Sequence, residues 1–96
     1  MLPGKYYVHF YLGACNLAVN DPKTALACLQ RSLTLNPTQQ DIPSIYSYLA
    51  VALKEMGEYR QALEILLEGE KLDSRRTDIH NLKGFCHFKL KEHERA

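Results

Sequence analysis

From Tyr6 to Val19 apolar residues recur at helical spacing on two stripes, Tyr7, Phe10, Ala14 and Leu17 on one and Val8, Leu12, Cys15 and Val19 on the other. A helix apolar on two sides needs neighbours on both. The stretch NDPKTALACLQRSLTLNP then starts afresh. Asp21 is placed to N-cap a second helix, Pro22 suits its first turn, Leu26, Leu29 and Leu33 form its buried stripe, and Asn36-Pro37 ends it. After the polar connector TQQDIP, SIYSYLAVALKEMG predicts a third helix, closed by Gly57 in a left-handed conformation. EYRQALEILLEGEKLD predicts a fourth, with Ala62, Leu63, Leu66 and Leu67 inward and Glu64, Glu68 and Lys71 solvated. TDIHNLKGFCHFKLK predicts a fifth, capped by Thr77 or Ser74. No stretch alternates with a period of two for long enough to make a strand, so the chain is read as all-α.

The pattern repeats. Gly13 to Ala50, Ala25 to Ala62, Leu29 to Leu66 and Pro37 to Ser74 are each 37 residues apart, and Ala50 to Gly84 and Ala62 to Ala96 are each 34 apart. A 34-residue unit therefore recurs, with three extra residues in the first connector. The first unit supplies His9, Leu12-Gly13, Asn16, Ala25, Leu29 and Pro37, and the second Tyr46, Leu49-Ala50, Leu53, Gly57, Tyr59, Ala62, Leu66 and Ser74. The third supplies His80, Lys83-Gly84, His87, His93 and Ala96.

In this spacing the chain resembles the tetratricopeptide repeat family, departing from it in His for Trp, in Asn16 and His87 for an aromatic, and in Lys83 for Leu. The resemblance implies a right-handed α-solenoid of antiparallel helix pairs, about two and a half repeats in one domain over residues 1–96, with units at about 6–39, 43–76 and a truncated 77–96. Gly13, Ala50 and Gly84 then lie where the first helix of a unit crosses the second, and Ala25, Ala62 and Ala96 on the facing side, so that the axes approach closely. Cys15 and Cys86, two residues past the glycines, read as packing atoms. The third unit stops just after its second helix begins, and both end helices are apolar on more than one side. The expectation is a piece of a longer array.

First helices of such pairs line a concave face that binds extended or helical segments of partners. What the resemblance implies here is a groove of Tyr7, Phe10, Tyr11, Ala14 and Leu17 from the first unit, Ser47, Tyr48, Val51 and Lys54 from the second, and Asp78, Asn81, Phe85 and Phe88 from the third. That surface is aromatic and largely uncharged, suited to an apolar or amphipathic segment. Family members that clamp a chaperone C-terminal carboxylate use cations at places held here by Phe10, Ala14, Tyr48, Asp78 and Leu82, so a clamp of that kind is not expected. The alternative is a structural or oligomerisation element of a longer repeat array or of a multidomain protein, which stacks on other repeats, on an attached catalytic domain or on itself through its end helices.

Charge changes this picture little. Twelve Lys and Arg against eleven Asp and Glu leave +1, no electrostatic case for nucleic acid or an anionic membrane. Residues 1–53 hold only five charges, Lys5, Asp21, Lys23, Arg31 and Asp41, and the other eighteen fall in residues 54–96. Cys15, Cys28 and Cys86 are odd in number and widely spaced, arguing against a disulfide framework and for a reducing, cytoplasmic setting. The run YYVHFYLGA is too short to span a membrane and is a poor signal peptide.

No catalytic constellation appears. There is no nucleophile elbow, phosphate-binding glycine loop or paired acid arrangement, so no enzyme and no cofactor are expected. His80 and His87 are seven residues apart on one helix, too far for one zinc ion, and read with His9 and His93 as residues filling aromatic positions of the repeat, not as metal ligands. Arg75 and Arg76 beside Asp73 and Asp78 read as a charged turn between helices. The expected function is protein–protein interaction.

Overall fold

The structure, a computed structural model, describes residues 5–95, with side chains for 5–92. Five helices follow one another: α1 (Tyr6–Ala18), α2 (Pro22–Thr34), α3 (Ile42–Glu55), α4 (Tyr59–Leu72) and α5 (Thr77–Arg95). No strand occurs among the described residues. α1 packs on α2 and α3 on α4 as antiparallel pairs, α2 and α4 each also support the next helix in the chain, and α1, α3 and α5 lie side by side. The molecule is an α-solenoid segment.

The turns within the two pairs share one geometry. Asn20 has φ 63° and Gly57 φ 80°, and in each case the next amide reaches back five residues, Asp21 N–H to the Asn16 carbonyl at 2.8 Å and Glu58 N–H to the Leu53 carbonyl at 2.8 Å. This is the left-handed closure in which a residue able to take positive φ satisfies the last carbonyls. Asn and Gly are the residues that take it at least cost. The next place in the register is Lys91, which does not favour that conformation, and α5 runs straight through it to Arg95. The expected start of a further helix before Ala96 is therefore not seen, and Ala96 itself lies outside the described residues.

Other helix boundaries follow local chemistry. Asp21 accepts from the Thr24 amide at 3.3 Å and Pro22 opens α2, as expected. α3 begins at Ile42, earlier than the sequence suggests, because Pro43 is tolerated in a first turn where its missing N–H is not needed. Neither Ser74 nor Thr77 caps α5: Thr77 is its first helical residue, and the Arg76 carbonyl accepts the His80 amide.

The core forms two patches. Leu29, Ile45 and Leu49 seal α2 against α3, with Phe10, Leu17, Leu26 and Leu33 packed around them. Ala50, Leu53, Ala62, Leu66, Ile79 and Cys86 seal α3, α4 and α5. Gly13 is buried, and a Cβ built on it would stand 2.6 Å from Leu29 Cγ, which is why the crossing needs glycine. Gly84 departs from expectation, with nothing within 4 Å of the same built atom, because none of the described helices crosses α5 there. Cys15 departs too: it is exposed, whereas Ala52 and Cys86 in the same register are fully buried. Leu67 points outward at 43% exposure, and Ile65 takes the inner place, packed against both core patches.

Candidate partner-binding groove

An open hollow of about 580 Å³ runs across α1, α3 and α5. Of the residues expected there, Phe10, Ser47, Tyr48, Val51, Asp78 and Asn81 line it. Each comes from a first helix of a pair, whose successive turns bring these positions to one face.

Phe10 and Tyr48 are its aromatic lining residues. Phe10 meets Tyr48 edge-on, with ring centres 5.2 Å apart, and Tyr11 stands beside Phe10 at 5.6 Å. Tyr11 is 62% exposed and Tyr48 39%, so their rings remain open to a ligand. Tyr7 lies farther up α1 against Tyr6, beneath the Lys5 ammonium. Ala14 is half-buried on the same helix, and Leu17 departs from expectation by packing into the core patch of Leu29, Ile45 and Leu49.

Phe85 and Phe88 of α5, expected in the groove, are 40% and 59% exposed but do not line the hollow, and neither do Tyr7, Tyr11, Ala14, Leu17 and Lys54. The ammonium groups of Lys54 and Lys89 lie 5.1 and 5.7 Å from the Phe85 ring centre, within reach of a favourable cation–π contact.

Ser44, Arg76 and Leu82 also line the hollow and were not singled out from the sequence as groove residues. Arg76 Nε and Nη2 donate to the two Asp78 oxygens at 3.1 and 2.9 Å, and Nη1 donates to Ser44 Oγ at 3.0 Å. Ser47 Oγ donates to Asp78 Oδ2 at 2.9 Å, and the Ile79 amide to Asp78 Oδ1 at 2.8 Å. The Arg76 hydrogen bonds hold the Asp78 carboxyl below the usual carboxylate range, against a smaller opposing effect of burial and with help from Ser47. Arg76 is raised in turn, first by the same hydrogen bonds. The one signal for this network was the polar run Ser44, Ser47 and Asp78 on first-helix positions, which an apolar-stripe reading passes over.

Between α4 and α5, Lys83 Nζ holds both Glu70 oxygens at 2.9 Å, and His80 bridges Glu70 at 3.5 Å and the Ser74 carbonyl at 2.7 Å. Glu70 is lowered, first by its hydrogen bond to Lys83. These groups join α4 to α5 and explain Lys83 where the repeat pattern has leucine. Among the described residues no three His, Cys, Asp or Glu side chains converge as a metal site requires. No helix among them is long and apolar enough to cross a membrane.

Helix pairs stacked in register, with a groove across the first helices, define a helix-pair repeat protein. The sequence profile of the family described as anaphase-promoting complex, cyclosome, subunit 3 matches residues 20–96, and the chain belongs to that family, whose repeats are of the tetratricopeptide type. No curated protein matches the chain. Repeats of this type are generally non-catalytic scaffolds that mediate protein–protein interaction, and the chain is an interaction module in that general sense.

Proposed function

We propose that the hollow across α1, α3 and α5 binds an apolar or amphipathic segment of a protein partner. The observation that carries this reading is the division of labour in the hollow. Its charged groups are satisfied by one another in the Ser44, Arg76, Asp78 and Ser47 network, while Tyr48 stays exposed in its lining and Tyr11, Phe85 and Phe88 are exposed outside that lining, on the same helices α1 and α5. Binding there draws on ring burial, on the order of 1.5–3 kcal/mol for a fully covered large apolar side chain. It does not draw on a free cation. Arg76 is engaged, so a C-terminal carboxylate finds no open clamp. Residues of about 6–39, 43–76 and 77–96 are successive units in this reading, and the odd number and wide spacing of the cysteines fit a reducing, cytoplasmic setting.

The test is to select peptides from a display library on the purified chain and titrate the winners against a Tyr48→Glu, Phe85→Glu double variant. Loss of binding with unchanged helical circular dichroism supports the groove, and unchanged binding places the site elsewhere. Amidating a winner's C-terminus leaves its affinity the same.

A further inference from the structure

α2 and α4, the second helices of the two pairs, stand apart. No Cα of α2 comes within 8 Å of a Cα of α4, although α3 packs on both. Between them lies a trough of about 420 Å³ that shares no lining residue with the hollow across α1, α3 and α5. Its apolar lining is entirely aliphatic. Leu49 and Leu53 of α3 are nearly sealed, at 2% and 6% exposure, whereas Leu26 and Leu33 of α2 and Ile65 of α4 are half-buried. Leu29, between the two α2 leucines on the same stripe, is fully buried, so the stripe is closed at its centre and open at both ends.

The polar lining is Gln30, Gln61 and Glu64, all exposed. Glu64 is the sole charge, and neither cation of α2, Lys23 or Arg31, lines the trough. An adjoining hollow shares Glu64 and Ile65 and adds Glu68 and Glu70, but Lys71 holds Glu68 and Lys83 holds Glu70. Glu64 has no hydrogen bond or ion pair among the described residues. The chemistry is the reverse of the groove, where the charges satisfy one another and two of the lining side chains are aromatic.

We infer that the trough between α2 and α4 binds an amphipathic helix of a partner protein, with aliphatic anchors on one face and a lysine or arginine beside them. Leu26 and Leu33 are seven residues apart, about 10 Å along α2, a span of two turns that takes anchors at i, i+3 or i+4, and i+7. An extended segment lying between two helices finds few partners for its backbone groups, whereas a helix satisfies its own. The volume falls at the lower end of the roughly 300–1,000 Å³ usual for a ligand site. Aliphatic burial supplies the affinity. Glu64 selects the sign of the partner, since an exposed charge acts on encounter and discrimination more than on affinity. An acidic helix meets Glu64 as a like charge, with no cation in the lining to relieve it.

Fluorescence anisotropy on the intact chain tests the inference with three alanine-rich helical peptides, acetylated and amidated. The first carries leucines at i, i+3, i+4 and i+7 flanked by lysines, the second has glutamates for the lysines, and the third has alanines for the leucines. The lysine peptide is expected to bind with a Kd below about 1 mM, and each of the others about tenfold more weakly. Glu64→Lys, at an exposed position, is expected to weaken the lysine peptide about fivefold and to strengthen the glutamate peptide by a similar factor, with helical circular dichroism unchanged. The Tyr48→Glu, Phe85→Glu groove variant binds the lysine peptide as the wild type does. Equal affinity for the lysine and glutamate peptides, indifference to Glu64→Lys, or loss of binding in the groove variant overturns the inference. So does the absence of binding by the lysine peptide, in which case a second copy or the chain's own termini fill the trough, or nothing does.

Discussion

Gly13 and Leu29 meet so closely that a methyl group on the glycine would stand 2.6 Å from Leu29 Cγ and 3.3 Å from the Ala25 carbonyl. Leu29 is fully buried. Gly13→Ala therefore overpacks the α1–α2 crossing, at a cost of about 1–3 kcal/mol, against a gain of about 1 kcal/mol in helix propensity. A net loss on the order of 1 kcal/mol in urea unfolding is expected. Gly84→Ala, in the same register but with nothing within 4 Å, is expected to stabilise by about 0.5–1 kcal/mol. Opposite signs at equivalent positions would show that the contact, and not the repeat pattern, sets the need for glycine.

Gly57 tests the left-handed turn. A Cβ there meets nothing within 4 Å, so any penalty comes from the backbone at φ 80°. Gly57→Ala is expected to cost about 1–2 kcal/mol and Gly57→Asn less, since asparagine holds the matching place in the first pair at φ 63°. Equal costs for the two would count against this account.

Asp78 gives a pH dependence with a definite sign. Its folded-state affinity for protons is lowered, first by the hydrogen bonds from Arg76. Below about pH 4, where a free aspartate begins to protonate, the unfolded chain binds protons that the folded chain still refuses. The stabilisation is thus fully present above that point and is lost as pH falls through the folded value. Because the side chain is 44% exposed, solvent screening holds the contribution to less than about 1 kcal/mol. Urea midpoints of wild type and Asp78→Asn should differ at pH 6 and converge towards pH 3. A gap that widens on acidification would contradict the assignment.

Thiol reactivity should follow burial. Cys15 is exposed, Cys28 half-buried, and Cys86 fully buried with its thiol pushed up by desolvation. Iodoacetamide at pH 8 is expected to label Cys15 first, and Cys86 only as the chain unfolds. Mass spectrometry of timed digests reads the order directly.

Helix number, the pairing of α1 with α2 and of α3 with α4, the cap at Asp21 and the closure at Gly57 were legible because each depends on neighbours a few residues away. The groove was less so. Phe10, Tyr48 and Asn81 were found by position in the repeat, whereas Arg76 was read as part of a turn. Its reach to Ser44, 32 residues earlier, exists only once α3 and α5 are side by side.

The same division runs through the whole molecule. Spacing of apolar and small residues determined that the chain forms stacked helix pairs in one register, since that spacing decides which face each helix must bury. Tertiary structure alone decided what each equivalent position experiences. Cys15 and Cys86 share a place in the repeat, yet one is exposed and the other sealed, because α4 stands against α5 and none of the described residues stands against that face of α1. A local pattern specifies a packing surface; burial depends on whether another element covers it.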